Sequence, residues 1–120
     1  RTDWVARIRR ILESGDTVPF EPFNREGFSD LEALSLEQLL DEFERLRAVN
    51  LTFLNSLSLG PGQMALVGRH PDFGSVTLGQ LVATWVVHDL NHISQVVRVM
   101  STRYAASVGP WKAYLGILNR

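Results

Sequence analysis

Apolar positions recur at helical spacing in three stretches of this chain, and segments rich in Gly and Pro separate them. Trp4, Ile8, Ile11 and Leu12 form a stripe from the first residues onward, with Arg7, Arg9 and Arg10 beside it and Ser14-Gly15 as a stop. This predicts a helix over residues 1 to about 13. No capping sequence precedes it, so the stripe is expected to be the end of a cut helix, with residues missing upstream of Arg1. Between Asp16 and Leu34, Pro19, Pro22 and Gly27 with Phe20, Phe23 and Phe28 predict a long ordered crossover pinned by its aromatics.

Ser35-Leu36-Glu37-Gln38 has the spacing of a capping box, in which the Ser hydroxyl caps a backbone N–H and the Gln side chain reaches back. Leu36, Leu39, Leu40, Phe43, Leu46, Phe53, Leu54 and Leu57 then keep one face apolar as far as Gly60-Pro61-Gly62. Residues 64 to 76 read as a turn-rich loop around His70-Pro71-Asp72-Phe73-Gly74, with Met64 to Val67 as a candidate extended piece. Thr77-Leu78-Gly79-Gln80 repeats the capping-box spacing and opens the strongest helix, expected to run to about Tyr104 and to be roughly 40 Å long. After Gly109, Pro110 suits a first helical turn, and Trp111, Tyr114, Leu115 and Leu118 predict a short terminal helix. No strand pattern competes, so the expectation is an all-α bundle that has lost some of its helices.

The 120 residues, net charge of −1, pI near 6.3 and 45% hydrophobic content fit one globular domain spanning 1–120. The chain contains no cysteine, so any metal site has to be built from His, Asp, Glu, water or backbone, and a reducing cytoplasm is the expected location. Thr84, His88, Asp89 and Arg98 interrupt the longest apolar stretches, and no leader pattern opens the chain, so neither a membrane span nor a secretory signal is expected.

Chemistry concentrates in His88-Asp89-Leu90-Asn91-His92-Ile93-Ser94-Gln95, where a spacing of four sets one imidazole a turn above the other. Leu81, Trp85, His88, His92, Gln95 and Val99 share one sector of the helix, which predicts that both His face inward. Two buried neutral imidazoles need partners, and a divalent ion would serve both, at about 2.0–2.1 Å per nitrogen for zinc. The plainer alternative is a pair of core or boundary His bonded to carbonyls. HDLNH also resembles the zincin motif HExxH with Asp for Glu, but Asp89 is one methylene short for a general base and no Asp, Glu or His follows His92. A third ligand must therefore lie upstream; the candidates are His70, Asp3, Asp72, Glu13 and Asp89, and the missing N-terminal part is preferred over all of them.

The other polar positions have simpler readings. His70, before Pro71, suits a turn-stabilising or solvent-facing role better than ligation. Asp89 is expected to orient a His or pair with an Arg, as carboxylates behind metal ligands do. Asn50, which interrupts an apolar helix face, is either an interhelical hydrogen bond or a pocket wall. Trp85 and Trp111 are expected to pack, with Trp85 also a candidate pocket residue, and Arg98 and Arg103 to be solvated, although Arg103 and Tyr104 could line a mouth. Neither a phosphate-binding Gly-rich loop nor a recognisable hydrolase triad occurs. Scattered basic residues and a slightly acidic balance argue against nucleic acid, while the 28 residues after His92 carry four Arg or Lys and no acid, which could attract an anionic substrate.

RTDWVARIRRILE at the start, HPDFGSVTLGQL in the middle and WVVHDLNHISQ on the long helix together resemble the DinB-like (YfiT-like) metalloenzyme superfamily over most of the chain. The resemblance implies a four-helix bundle holding a divalent metal, often nickel or zinc, on three His, two of which carry over to His88 and His92. The remaining family ligand precedes the stretch that resembles Arg1 to Glu13, so this sequence has no residue to receive it, and the first helix and the start of the second are expected to be missing. Members of known activity are thiol-dependent transferases using mycothiol, bacillithiol or glutathione, and a maleylpyruvate isomerase relative. The resemblance thus points to a metal-dependent transferase with a small-molecule thiol and an electrophilic substrate as partners, with a catalytic residue still unassigned. The alternatives are a non-catalytic helical module that forms a homodimer and a metal-dependent hydrolase.

Overall fold

The computed structural model describes residues 3–24, 31 and 33–119, and helix is its dominant element. The first helix, α1, runs Asp3–Ser14. Ile8 and Ile11 are buried on one face of it, and the Asp3 carboxylate sits 2.7 Å from the Arg7 guanidinium one turn on. Gly15 leaves the helix at a φ of +57°, a left-handed value that costs glycine nothing. The segment that follows is extended, and Phe20 pins it as expected, being buried at 3% exposure. Phe23, by contrast, is exposed, and Gly27 and Phe28 lie outside the described residues.

The second helix, α2, spans Leu36–Ser56 and opens on the capping box foreseen in the sequence. The Gln38 N–H donates to Ser35 Oγ at 3.2 Å and the Ser35 N–H to Gln38 Oε1 at 2.9 Å. It stops short of Gly60, closing at Leu57 before Ser58 turns to a φ of +46°. Its apolar stripe is only partly covered: Leu36, Leu40 and Phe43 are exposed, whereas Asn50 is buried. The Arg9 guanidinium of α1 lies 4.2 Å from the centre of the Phe53 ring and ties the two helices together.

The stretch expected to be a loop departs most from the sequence reading. A single helical turn, α3 (Pro61–Met64), leads into an antiparallel hairpin of β1 (Val67–His70) and β2 (Gly74–Thr77), paired Val67 with Thr77 through His70 with Gly74. Strands of four residues are too short to show a period, and Gly68 and Gly74 carry no strand propensity, so pairing rather than pattern makes the element. Extended backbone beside Pro19 bridges Arg69 in parallel, and the Phe20 N–H donates to the Arg69 carbonyl at 2.9 Å. The ring of Phe20 and the side chain of Ile11 then pack directly on Gly68.

The longest helix, α4, spans Leu78–Thr102. Its Gln80 N–H donates to Thr77 Oγ1 at 3.1 Å and the Thr77 N–H to Gln80 Oε1 at 2.8 Å, the second capping box. Leu78 and Leu81 are buried, as is Trp85. The chain divides into two compact units, Arg1–Val82 and Ala83–Arg120. In the second, the expected terminal helix is replaced by 3-10 turns at Gly109–Tyr114 and Gly116–Leu118, since Gly109, Pro110 and Gly116 leave no room for a regular α segment. Trp111, expected to pack, is 70% exposed. No described helix is long and apolar enough to cross a membrane.

Candidate metal centre

A spacing of four residues on α4 sets the imidazoles of His88 and His92 one helical turn apart on the same face. Their Nε2 atoms are 3.3 Å apart, with ring centroids 4.5 Å apart and ring planes at 78°. Three residues further on, Gln95 Oε1 lies 2.9 Å from His92 Nδ1. Asp89 is half-buried beside the pair.

The expectation that the pair faces inward is not met. His88, His92 and Gln95 are exposed, and so is every residue from Val86 to Met100 except Asp89. Leu81 and Trp85, on the same sector nearer the helix start, are buried. Periodicity identifies which face of a helix is apolar; it does not say how far along the helix that face is covered.

The separation of the two nitrogens is one that a shared divalent ion would span. Two nitrogens each 2.0–2.1 Å from a tetrahedral centre lie roughly 3.3–3.4 Å from one another, which is the separation of the two Nε2 atoms here. Neutral imidazole also suits zinc and nickel alike. Among the described residues, however, no group of three or more His, Cys, Asp or Glu is gathered closely enough to hold a metal. His88 and His92 are thus two candidate donors with no third of these residue types gathered beside them among the described residues.

The upstream candidates His70, Asp3, Asp72 and Glu13 belong to the first unit, where His70 and Asp3 have partners of their own. His70 ends β1, where its Nδ1 accepts the N–H groups of Asp72 at 3.1 Å and Phe73 at 3.3 Å. Its ring stacks on Phe73 at 4.4 Å and meets Phe20 edge-on at 6.1 Å. These contacts are those of a turn-holding residue. Asp3 is paired with Arg7, Asp72 and Glu13 are exposed, and Asn50 lies on α2 of the first unit.

The profile of the DinB superfamily matches residues 2–96, more than three quarters of the chain and the whole of the His88 to Gln95 segment. The chain belongs to the DinB superfamily. No curated protein matches it. Membership in the DinB superfamily accords with the mainly helical architecture. One feature of the first unit gave no sequence signal: a groove of about 510 Å³ beside the hairpin, lined by Phe20, Glu21, Arg69, His70 and Pro71 among others. It forms only because the Pro19 segment runs along β1, a pairing that leaves no periodic trace in the sequence.

Proposed function

We propose that this chain contributes His88 and His92 to a divalent-metal centre, nickel or zinc, in a four-helix DinB-type bundle, and that the centre serves thiol transfer to an electrophilic small molecule. The observation that carries this reading is the 3.3 Å separation of two imidazole nitrogens, matched to adjacent positions of a tetrahedral ion. A third protein ligand comes from outside the described residues, which leaves the open position that a catalytic ion needs. When bound, the ion supplies Lewis acidity that makes a thiol or a water nucleophilic at neutral pH. The chain's own residues do the rest. His88 and His92 hold the centre, and Asp89, half-buried next to them, orients or pairs within the site. Exposed Arg98, Arg103 and Lys112, in a segment without acids, draw an anionic thiol towards this end of the chain.

A second reading has an observation of its own. Val86, Val87, Leu90, Ile93, Val96, Val99 and Met100 are all exposed on α4, which favours a non-catalytic helical module that buries this surface by dimerising.

Metal content by mass spectrometry, after reconstitution with nickel or zinc and beside His88→Ala and His92→Ala, separates the two. Near-stoichiometric metal, lost in both variants, is the expected result, and a thiol-transferase screen of the loaded protein follows from it. Absence of metal in the parent, with unchanged stability in both variants, would leave the dimerisation module standing.

A further inference from the structure

His88 and His92 are not equivalent, and the difference comes from Gln95. A neutral imidazole carries one N–H and one lone pair, so fixing the proton on one nitrogen fixes the lone pair on the other. His92 Nδ1 lies 2.9 Å from Gln95 Oε1, and an amide oxygen only accepts. The Nδ1–H tautomer of His92 makes this contact a hydrogen bond, and it leaves the lone pair on Nε2, which lies 3.3 Å from His88 Nε2. Free imidazole side chains in water favour the opposite tautomer, with the proton on Nε2, in which this nitrogen cannot bind a metal.

We propose that Gln95 is a positioning residue that holds His92 in the Nδ1–H tautomer, so that His92 is the pre-set ligand and His88 the one that adjusts when a metal enters. The proposal rests on the metal-binding reading above and says which of its two donors is prepared in advance. Helix geometry makes the arrangement local: residues three apart share a face, so Gln95 needs no other element to reach the ring. In the metal-free protein the Nε2 atom of His88 then carries the proton that points at His92. A metal claims both Nε2 lone pairs, so His88 has to pass to its own Nδ1–H tautomer by proton exchange with water, whereas His92 changes nothing.

The test has two readouts on the full chain, using Gln95→Leu, which removes the acceptor at an exposed position, and Gln95→Glu, which keeps one. The first is the metal-free long-range ¹H–¹⁵N spectrum at a pH of about 8.5, where an ordinary imidazole is neutral. The Nδ1–H pattern is expected for His92 in the parent and in Gln95→Glu, and a shift towards Nε2–H in Gln95→Leu. The second is calorimetric titration with zinc. Loss of a partner of this kind lowers metal affinity by about 10–100-fold, so Gln95→Leu should weaken binding by at least about tenfold and Gln95→Glu should restore it. An Nε2–H pattern for His92 in the parent, or equal zinc affinity in the parent and Gln95→Leu, overturns the proposal. A parent that binds no zinc overturns the metal reading itself and with it the ligand role assigned here, and the spectrum then decides the tautomer independently.

Discussion

Gly68 is where the packing of the first unit can be tested most directly. A Cβ built on Gly68 would lie 2.6 Å from Ile11 Cγ1, and 2.9 and 3.0 Å from Cζ and Cε1 of Phe20. Carbon atoms in contact prefer about 3.5–4.0 Å, so Gly68→Ala forces displacements of the order of 1 Å. Neither neighbour has free space: Ile11 is 1% and Phe20 3% exposed. Overpacking of a core typically costs about 1–3 kcal/mol. Against this, replacing Gly by Ala restricts the unfolded chain and returns about 0.4–1 kcal/mol. The expected net loss is about 0.5–2 kcal/mol, read as a lower urea midpoint at constant slope by far-ultraviolet circular dichroism. Gly62→Ala is the matched control, because nothing lies within 4 Å of its Cβ and the residue sits in α3. That variant should be neutral or slightly more stable. Equal or greater stability of Gly68→Ala, with Gly62→Ala behaving as stated, would refute the close approach of the hairpin to α1 and the Phe20 segment.

Three further outcomes follow from local geometry. Ser35→Ala and Thr77→Ala each remove one half of a capping box and should each cost about 1 kcal/mol in chemical denaturation, with faster hydrogen exchange in the first turns of α2 and α4. His70→Ala removes the acceptor of two backbone N–H groups and should speed exchange of the Asp72 and Phe73 amides, with a stability loss of about 1 kcal/mol. Arg45→Gln breaks the 2.7 Å pair with Glu42, but the Arg45 side chain is 61% exposed and the urea midpoint should move little.

The helices were legible because their signals are local. Each capping box needs only four consecutive residues, and both at Ser35 and Thr77 are formed as the sequence indicates. Gly15 ends α1 for a reason equally local, its left-handed φ. The hairpin was not legible, because what defines it is non-local. Its bridge to Pro19 and the seat of Phe20 on Gly68 join residues about 50 positions apart, and chain pattern carries no record of such pairings. The terminal segment failed for another reason. Trp111, Tyr114 and Leu118 have helical spacing, but spacing alone cannot hold an α-helix between Gly109-Pro110 and Gly116.

The same division governs the candidate site. A spacing of four fixes the distance between His88 and His92 through the backbone hydrogen bonds of α4, and a spacing of three delivers Gln95 to the second ring. Both relations hold although this part of the helix is exposed, so the pair is organised by secondary structure before any tertiary cover is formed. Burial of the pair is a tertiary property, and there the sequence reading failed. The consequence for the proposed centre is a division of labour. The helix supplies two donors at a fixed separation, whereas the dielectric around them and the third ligand depend on what packs on the Val86 to Met100 surface. A metal held only by the two donors would be open to competing ligands and water. One held also by a third protein ligand, under apolar cover, would gain the exclusion of solvent that strengthens every charge interaction at the ion.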